Sequence, residues 1–244
     1  MKRVLLTIAY DGTDYHGWQF QPNGITVQEC MQNALEKLLG ERPSLTGCSR
    51  TDAGVHARQF CCHLDCEDAF PENAFLKGLN SILPDDIAVV GYKEVANDFH
   101  ARYDAKGKNY IYRFYESGIT DPFLSRYALR VERKLNIERM NEFCKSLVGT
   151  HDFLPFSSSG RSVTDTVRTV TECSMITDGG LPALSVSANG FLYNMVRIIV
   201  GTALFVSNGA LPADCANRIF ETGKREEAGD TAPPQGLFLN KVFY

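Results

Sequence analysis

No stretch of this sequence is long and apolar enough to suggest a membrane span. The longest, Met195–Val206, is broken by Arg197 and falls short of the roughly 18–20 clean residues a bilayer crossing needs. No leader is expected either. After Met1-Lys2-Arg3 the apolar run is brief and ends at Tyr10-Asp11-Gly12, a strand entering a turn, so a cytoplasmic location is expected. Eight cysteines contain no Cys-x-x-Cys pair. Cys61-Cys62-His63 with Cys66 is the one grouping that resembles metal ligands, but neighbours on a strand point to opposite faces. Reduced, partly buried thiols are therefore expected, and no metal. The glycine-rich phosphate loops, HExxH, GxSxG and calcium-loop patterns are all absent, which leaves chemistry that side chains perform without a cofactor.

What is present is an ordinary globular composition. The 244 residues are 44% hydrophobic and 22% charged, enough for one large domain or two fused lobes. Strands are predicted at Lys2–Tyr10, Leu45–Ser49, Val55–Leu64, Asp86–Val95, Lys108–Tyr115, Val163–Ile176, Leu184–Ala188 and Leu237–Tyr244. Thr26-Val27-Gln28-Glu29 has capping-box form. Val27, Cys30, Met31, Ala34, Leu35, Leu38 and Leu39 follow at helical spacing up to Gly40. Further helices are predicted over Pro71–Leu83, from Asn136 to Gly149 with Ile137, Met140, Phe143, Cys144, Leu147 and Val148 inward, over Phe191–Val206, and over Ala213–Thr222. Ser157–Gly160 reads as a loop, and Asp178-Gly179-Gly180 as a turn. Helices and strands mix without regular βαβ alternation, so an α+β fold with a largely antiparallel sheet is expected. The expected lobes are 1–105 and 106–244, with 106–135 as a basic connecting segment.

Net charge is −4, which announces no nucleic-acid partner, but its distribution is uneven. Residues 101–134 carry eight basic side chains against four acidic, and residues 60–99 carry eight acidic against two basic. Such a cationic middle suits a polyanion or an ordinary solvated surface.

Two places stand out chemically. In Arg50-Thr51-Asp52-Ala53-Gly54-Val55-His56-Ala57-Arg58 a carboxylate sits in a tight turn between cations, beside a glycine that lets another backbone approach. This suits an anionic partner held over an acidic catalytic group; it equally suits an Asx-turn with Arg50 in a surface ion pair. The second place is Arg197, within a helix apolar nearly all round. A guanidinium there needs an anionic partner or must reach the helix rim. Asp52 is one of 29 acidic residues that qualify.

The runs Arg50–Ala57, Phe99–Tyr112, Gly149–Phe156, Gly190–Arg197 and Ala232–Tyr244, with Tyr10-Asp11-Gly12-Thr13 ahead of them, together resemble the signatures of the TruA family of tRNA pseudouridine synthases. They stand in family order over nearly the whole chain. Ser49 departs from the glycine many bacterial members carry before the arginine. The resemblance implies isomerisation of uridine to pseudouridine at positions 38 to 40 of the tRNA anticodon stem-loop. It implies two similar lobes around an antiparallel sheet with the site in the cleft between them, a homodimer, and tRNA as partner. By matching motif, Asp52 is the catalytic aspartate, Tyr110 the aromatic on the target base, and Arg197 the partner of Asp52. Arg50 is the arginine that enters where the flipped nucleotide leaves, and Leu237 an apolar wall.

That chemistry agrees with the residues. Moving uracil from an N1 to a C5 attachment at C1′ develops positive charge on the sugar and negative charge on the base. An ionised carboxylate can attack C1′, add to C6, or act as base at C2′. The base must be flipped out to be reached. A non-catalytic RNA-binding relative and a zinc protein built on Cys61, Cys62, His63 and Cys66 are the competing readings.

Overall fold

The computed structural model describes residues 1–67, 69–160 and 164–244. In chain order its elements are β1 (Lys2–Tyr10), α1 (Val27–Leu39), β2 (Thr46–Gly47), β3 (His56–Cys66), β4 (Ile87–Val95), β5 (Gly107–Glu116) and β6 (Leu129–Val131). There follow α2 (Ile137–Ser146), β7 (Gly149–Asp152), β8 (Val167–Asp178), β9 (Leu181–Ala188), α3 (Met195–Ser207), α4 (Cys215–Thr222) and β10 (Leu237–Phe243). The fold is α+β with a mostly antiparallel sheet, as expected. The chain divides into two compact units, Met1–Lys106 with Phe238–Tyr244, and Gly107–Leu237.

In the first unit β1 lies between β4 and β3, antiparallel to both. The other edge of β3 takes β10 in parallel at His56 and Ala57, and the short β2 near His63. The register sets Val4 opposite Leu64, Leu6 opposite Cys62 and Ile8 opposite Phe60. All six are buried, so one face of the pleat is a continuous apolar surface. Helix α1 buries Val27, Met31, Ala34 and Leu35. Its start is fixed by Thr26 Oγ1, which accepts from Glu29 N–H at 3.3 Å, and its end by Gly40 at φ 83°.

The helix expected over Pro71–Leu83 is not an α-helix. Ala74–Gly78 forms a π turn and Leu79–Ser81 a 3-10 turn. Asn80 explains the irregularity: its amide donates to Leu76 O and Val89 O and accepts from Val89 N–H. That side chain ties the segment to β4 and draws the Leu76 carbonyl out of a regular ladder.

In the second unit β5, β9, β8 and β7 pair antiparallel in that order, and β6 adds to β5 in parallel. The β8–β9 turn holds Gly179 and Gly180 at φ 60° and 83°, both in the left-handed region a two-residue hairpin of this hand requires. The expected beginning of β8 at Val163 lies outside the described residues. Helix α2 starts at the Asn136 cap, whose Oδ1 accepts from Arg139 N–H, and ends earlier than its pattern suggests. Leu147 and Val148 fold back onto Cys144 O and Lys145 O. Met140, Phe143, Cys144 and Leu147 are buried, whereas Ile137 and Val148 are 37% and 44% exposed. Gly149, at φ 125°, opens β7 rather than closing the helix.

Helix α3 begins at Met195, not Phe191. Asn194 stands at φ 59°, the one non-glycine residue with positive φ among the described residues, and a left-handed residue cannot lie inside a right-handed helix. The carbonyl of Tyr193 is taken by Ser158 N–H, so the chain turns sharply before the helix starts. Arg197 therefore sits in the first turn and is half-buried, at the rim rather than in an all-apolar interior.

Candidate active site

In the first unit the Asp52 turn is held against the chain segment that follows β1. Tyr10 Oη and Thr51 Oγ1 are 2.7 Å apart, Trp18 N–H donates to Thr51 O at 3.2 Å, and Gly54 N–H donates to Tyr15 O at 3.3 Å. The turn itself is closed by Val55 N–H onto Asp52 O, with Gly54 at φ 76°. Gly12 and Gly17 make this approach possible. A Cβ on Gly12 would lie 2.0 Å from Val55 O, and one on Gly17 2.4 Å from Thr51 O. Two backbones meet here with no room for a methyl group between them.

His56 completes the attachment. Its ring is buried, and Nδ1 accepts from Gly12 N–H at 3.0 Å while lying 3.1 Å from an Asp11 carboxylate oxygen. Phe238 of β10 stacks on this ring at 4.6 Å, and the Arg58 guanidinium covers Phe238 at 5.1 Å.

The result is a half-exposed Asp52 on a turn pinned from several directions. Arg50, two residues earlier, is exposed and makes no ion pair among the described residues. Among the described residues, the alternative of a surface ion pair at Arg50 is not realised. A fixed carboxylate beside an uncommitted guanidinium can meet a substrate that is anionic and develops positive charge as it reacts.

In the second unit Tyr110 and Tyr112 share one face of β5. Tyr110 is buried, with its ring edge-to-face on Phe191 at 5.0 Å. Arg197 Nε donates to Ala232 O at 2.7 Å, its Nη1 donates to Asn194 Oδ1 at 2.9 Å, and Ala232 N–H returns a bond to Arg197 O. Tyr112 Oη donates to Pro233 O at 2.8 Å, and Gly236 packs against its ring. Burial pushes the Tyr112 phenol well above its ordinary range, with nearby Arg197 working in the opposite direction. Arg197 and Tyr112 thus hold the run Ala232–Leu237 that leads into β10, and Leu237 is buried at its end.

The sequence names Arg50, Asp52, Tyr110, Arg197 and Leu237 as candidates; it does not single out Gly12, Gly17 and His56, which hold the Asp52 turn, or Tyr112 and Asn194, which hold Arg197 and the run leading to Leu237. The paired glycines in Tyr10–Trp18 were a usable signal of close backbone approach. The metal reading fails. Cys61 lines a surface cavity of about 480 Å³ with Thr7 and Gln59, while Cys62 is fully buried. His63 Nδ1 is occupied by Ala101 N–H, and no His, Cys, Asp and Glu cluster among the described residues is placed to hold a metal. No helix there is long and apolar enough to cross a membrane.

A family model described as tRNA pseudouridine synthase matches residues 6–104 and 143–244. The chain is 45% identical over 244 residues to tRNA pseudouridine synthase A of Thermoanaerobacter sp. (strain X514), covering all of both chains. Identity is also 45% over the full length of the Acetivibrio thermocellus protein of that name, and 42% over that of tRNA pseudouridine synthase A 2 from Clostridium perfringens. Matched by that family model over most of its length and by these relatives from end to end, the chain belongs to the tRNA pseudouridine synthase family.

Proposed function

We propose that this protein isomerises uridine to pseudouridine at positions 38 to 40 of the tRNA anticodon stem-loop, with Asp52 as the catalytic group. The observation that carries the reading is the half-exposed Asp52 on a turn clamped by Tyr10, Gly12, Tyr15 and Trp18, beside an uncommitted Arg50. In the reaction the N1–C1′ bond breaks and a C5–C1′ bond forms. The proton on C5 is lost and N1 gains one, so nothing is oxidised and no group leaves the molecule. A flipped uracil needs an aromatic face, assigned to Tyr110, and an apolar wall, assigned to Leu237. Arg50 fills the gap the nucleotide leaves. The enzyme works in the cytoplasm as a homodimer.

Release of tritium from C5-labelled uridine in tRNA, mapped by position, tests this reading. Asp52→Asn should abolish release while leaving tRNA affinity within roughly tenfold, because binding rests on dispersed phosphate contacts. Substantial turnover in that variant removes Asp52 from the role. A wild-type chain that binds every tRNA tested and releases nothing is a binding protein of the same fold. Arg197 is assigned as the partner of Asp52, so Asp52→Asn and Arg197→Met should be non-additive in stability. Additivity means that Arg197 serves some other group.

A further inference from the structure

Between β4 and β5 the chain makes a turn, Phe99–Asp104, whose backbone N–H groups are all taken. Phe99 N–H donates to Ala96 O and Asp104 N–H to His100 O. His100 N–H donates to the Asp104 carboxylate at 2.7 Å, and Ala101 N–H to His63 Nδ1 at 3.1 Å. The N–H groups of Arg102 and Tyr103 both reach His100 Nδ1, at 3.1 and 3.3 Å. On the carbonyl side Arg3 donates to Phe99 O and Tyr244 to Ala101 O. Every amide N–H from 99 to 104 is therefore satisfied, four of the six by side chains: His63 of β3, and His100 and Asp104 of the turn itself. A loop with this accounting is held in one shape.

That shape presents an aromatic ring to solvent. Tyr103 is 76% exposed, and its ring lies on the His100 ring at 4.2 Å with planes 32° apart. One face is backed by imidazole and the other is open to solvent. Arg102 and Lys106 flank it with no ion pair among the described residues. Asp104 is turned back onto His100 N–H, so the carboxylate next to Tyr103 in sequence is engaged with backbone. A rigid, half-backed aromatic between uncommitted cations is how proteins receive an unpaired nucleobase and its two phosphates.

We propose that Tyr103 is a stacking platform for an unpaired nucleotide of the RNA substrate, with Arg102 and Lys106 on the adjoining phosphates. This rests on the tRNA-modifying reading and adds a contact distinct from the residues assigned to the target base. The platform acts on binding, so its loss raises KM and leaves kcat unchanged at saturation.

The test compares wild type, Tyr103→Ala, Tyr103→Trp and Arg102→Gln in affinity for a tRNA transcript and for a fully paired RNA of equal length. Tyr103→Ala should weaken tRNA binding roughly tenfold, within the range alanine substitution gives for stacked bases. Tyr103→Trp should bind like wild type, since any aromatic face serves. The paired RNA, which offers no free base, should not distinguish the Tyr103 variants. Urea midpoints should coincide, because the ring is exposed. Tyr103→Ala binding within twofold of wild type overturns the platform, and so does an equal loss on tRNA and paired RNA. A changed sedimentation coefficient for Tyr103→Ala without RNA also overturns it, by making this face a contact between copies. Tritium release decides the isomerase reading separately: a silent wild type with a weakened Tyr103→Ala keeps the platform and rejects the isomerase.

Discussion

At the scale of single residues, the placement of Asp52 depends on atoms that are not there. Gly17 and Gly40 have almost the same backbone angle, φ 82° and 83°, yet their surroundings differ completely. An added Cβ at Gly17 meets Thr51 O at 2.4 Å and Asp52 C at 3.1 Å, whereas at Gly40 it meets nothing within 4 Å. Both alanine substitutions incur the left-handed penalty of roughly 1–2 kcal/mol. Only Gly17→Ala must also push the Asp52 turn aside. Urea unfolding with turnover should show Gly40→Ala destabilised but fully active at saturation, and Gly17→Ala destabilised further with a large fall in kcat. Unchanged kcat in Gly17→Ala would show that the turn tolerates displacement. Asp52 stands out in the sequence as a candidate, because a carboxylate between arginines beside glycine is a chemical pattern. His56 does not. Its role depends on Gly12, 44 residues away, and a lone histidine on a strand has no local signature for that.

Secondary-structure elements were legible wherever one face alternated or repeated cleanly, and failed where a side chain replaced a backbone partner. β1 runs over the expected span because its alternate residues are buried, and α1 because Thr26 and Gly40 mark both ends. Asn80 broke the expected helix over 71–83, and Asn194 shortened the one at 191. The same kind of substitution gives the turn after β4 a pH dependence. His63 Nδ1 accepts from Ala101 N–H, which protonation would abolish. Its pKa is held below the ordinary 6.5, first by burial, then by Arg3 and His100. The folded state resists a proton that the unfolded state accepts, so stability is lost as pH falls below about 6.5. Asp65 acts lower: its bond to Arg3 depresses its pKa below 3.8, so its contribution is present above that value and lost as pH falls through the depressed one. Wild type should lose stability between pH 7.5 and 5.5, and His63→Gln, which cannot charge, should lose less. Parallel curves for the two proteins would mean that some other group carries the slope.

Across the whole molecule, what the sequence could not disclose was long-range pairing and charge pairing. β10 lies beside the start of β3, with Phe238 opposite His56, an association between residues 182 apart that no local pattern encodes. Charge was misleading in the same way, because counting along the chain ignores which charges neutralise each other. In the acidic stretch 60–99, Asp65 is met by Arg3 and Glu94 by Lys2. In the basic stretch 101–134, Arg113 is met by Asp178 and Arg130 by Glu132. Arg102, Lys106, Arg133 and Lys134 have no ion pair among the described residues, so these four, with Arg50, remain for phosphate. Affinity for tRNA should therefore fall steeply with salt despite the net charge of −4, because each neutralised phosphate releases counterion. Lys106→Gln or Lys134→Gln should each lower the slope of log affinity against log salt by about 0.7–0.9. Arg130→Gln should leave it unchanged, since that guanidinium is already committed to Glu132 and to the carbonyls of Ser117 and Gly118. A flat salt response, or equal slopes in all three variants, would mean that the uncommitted cations face away from the RNA.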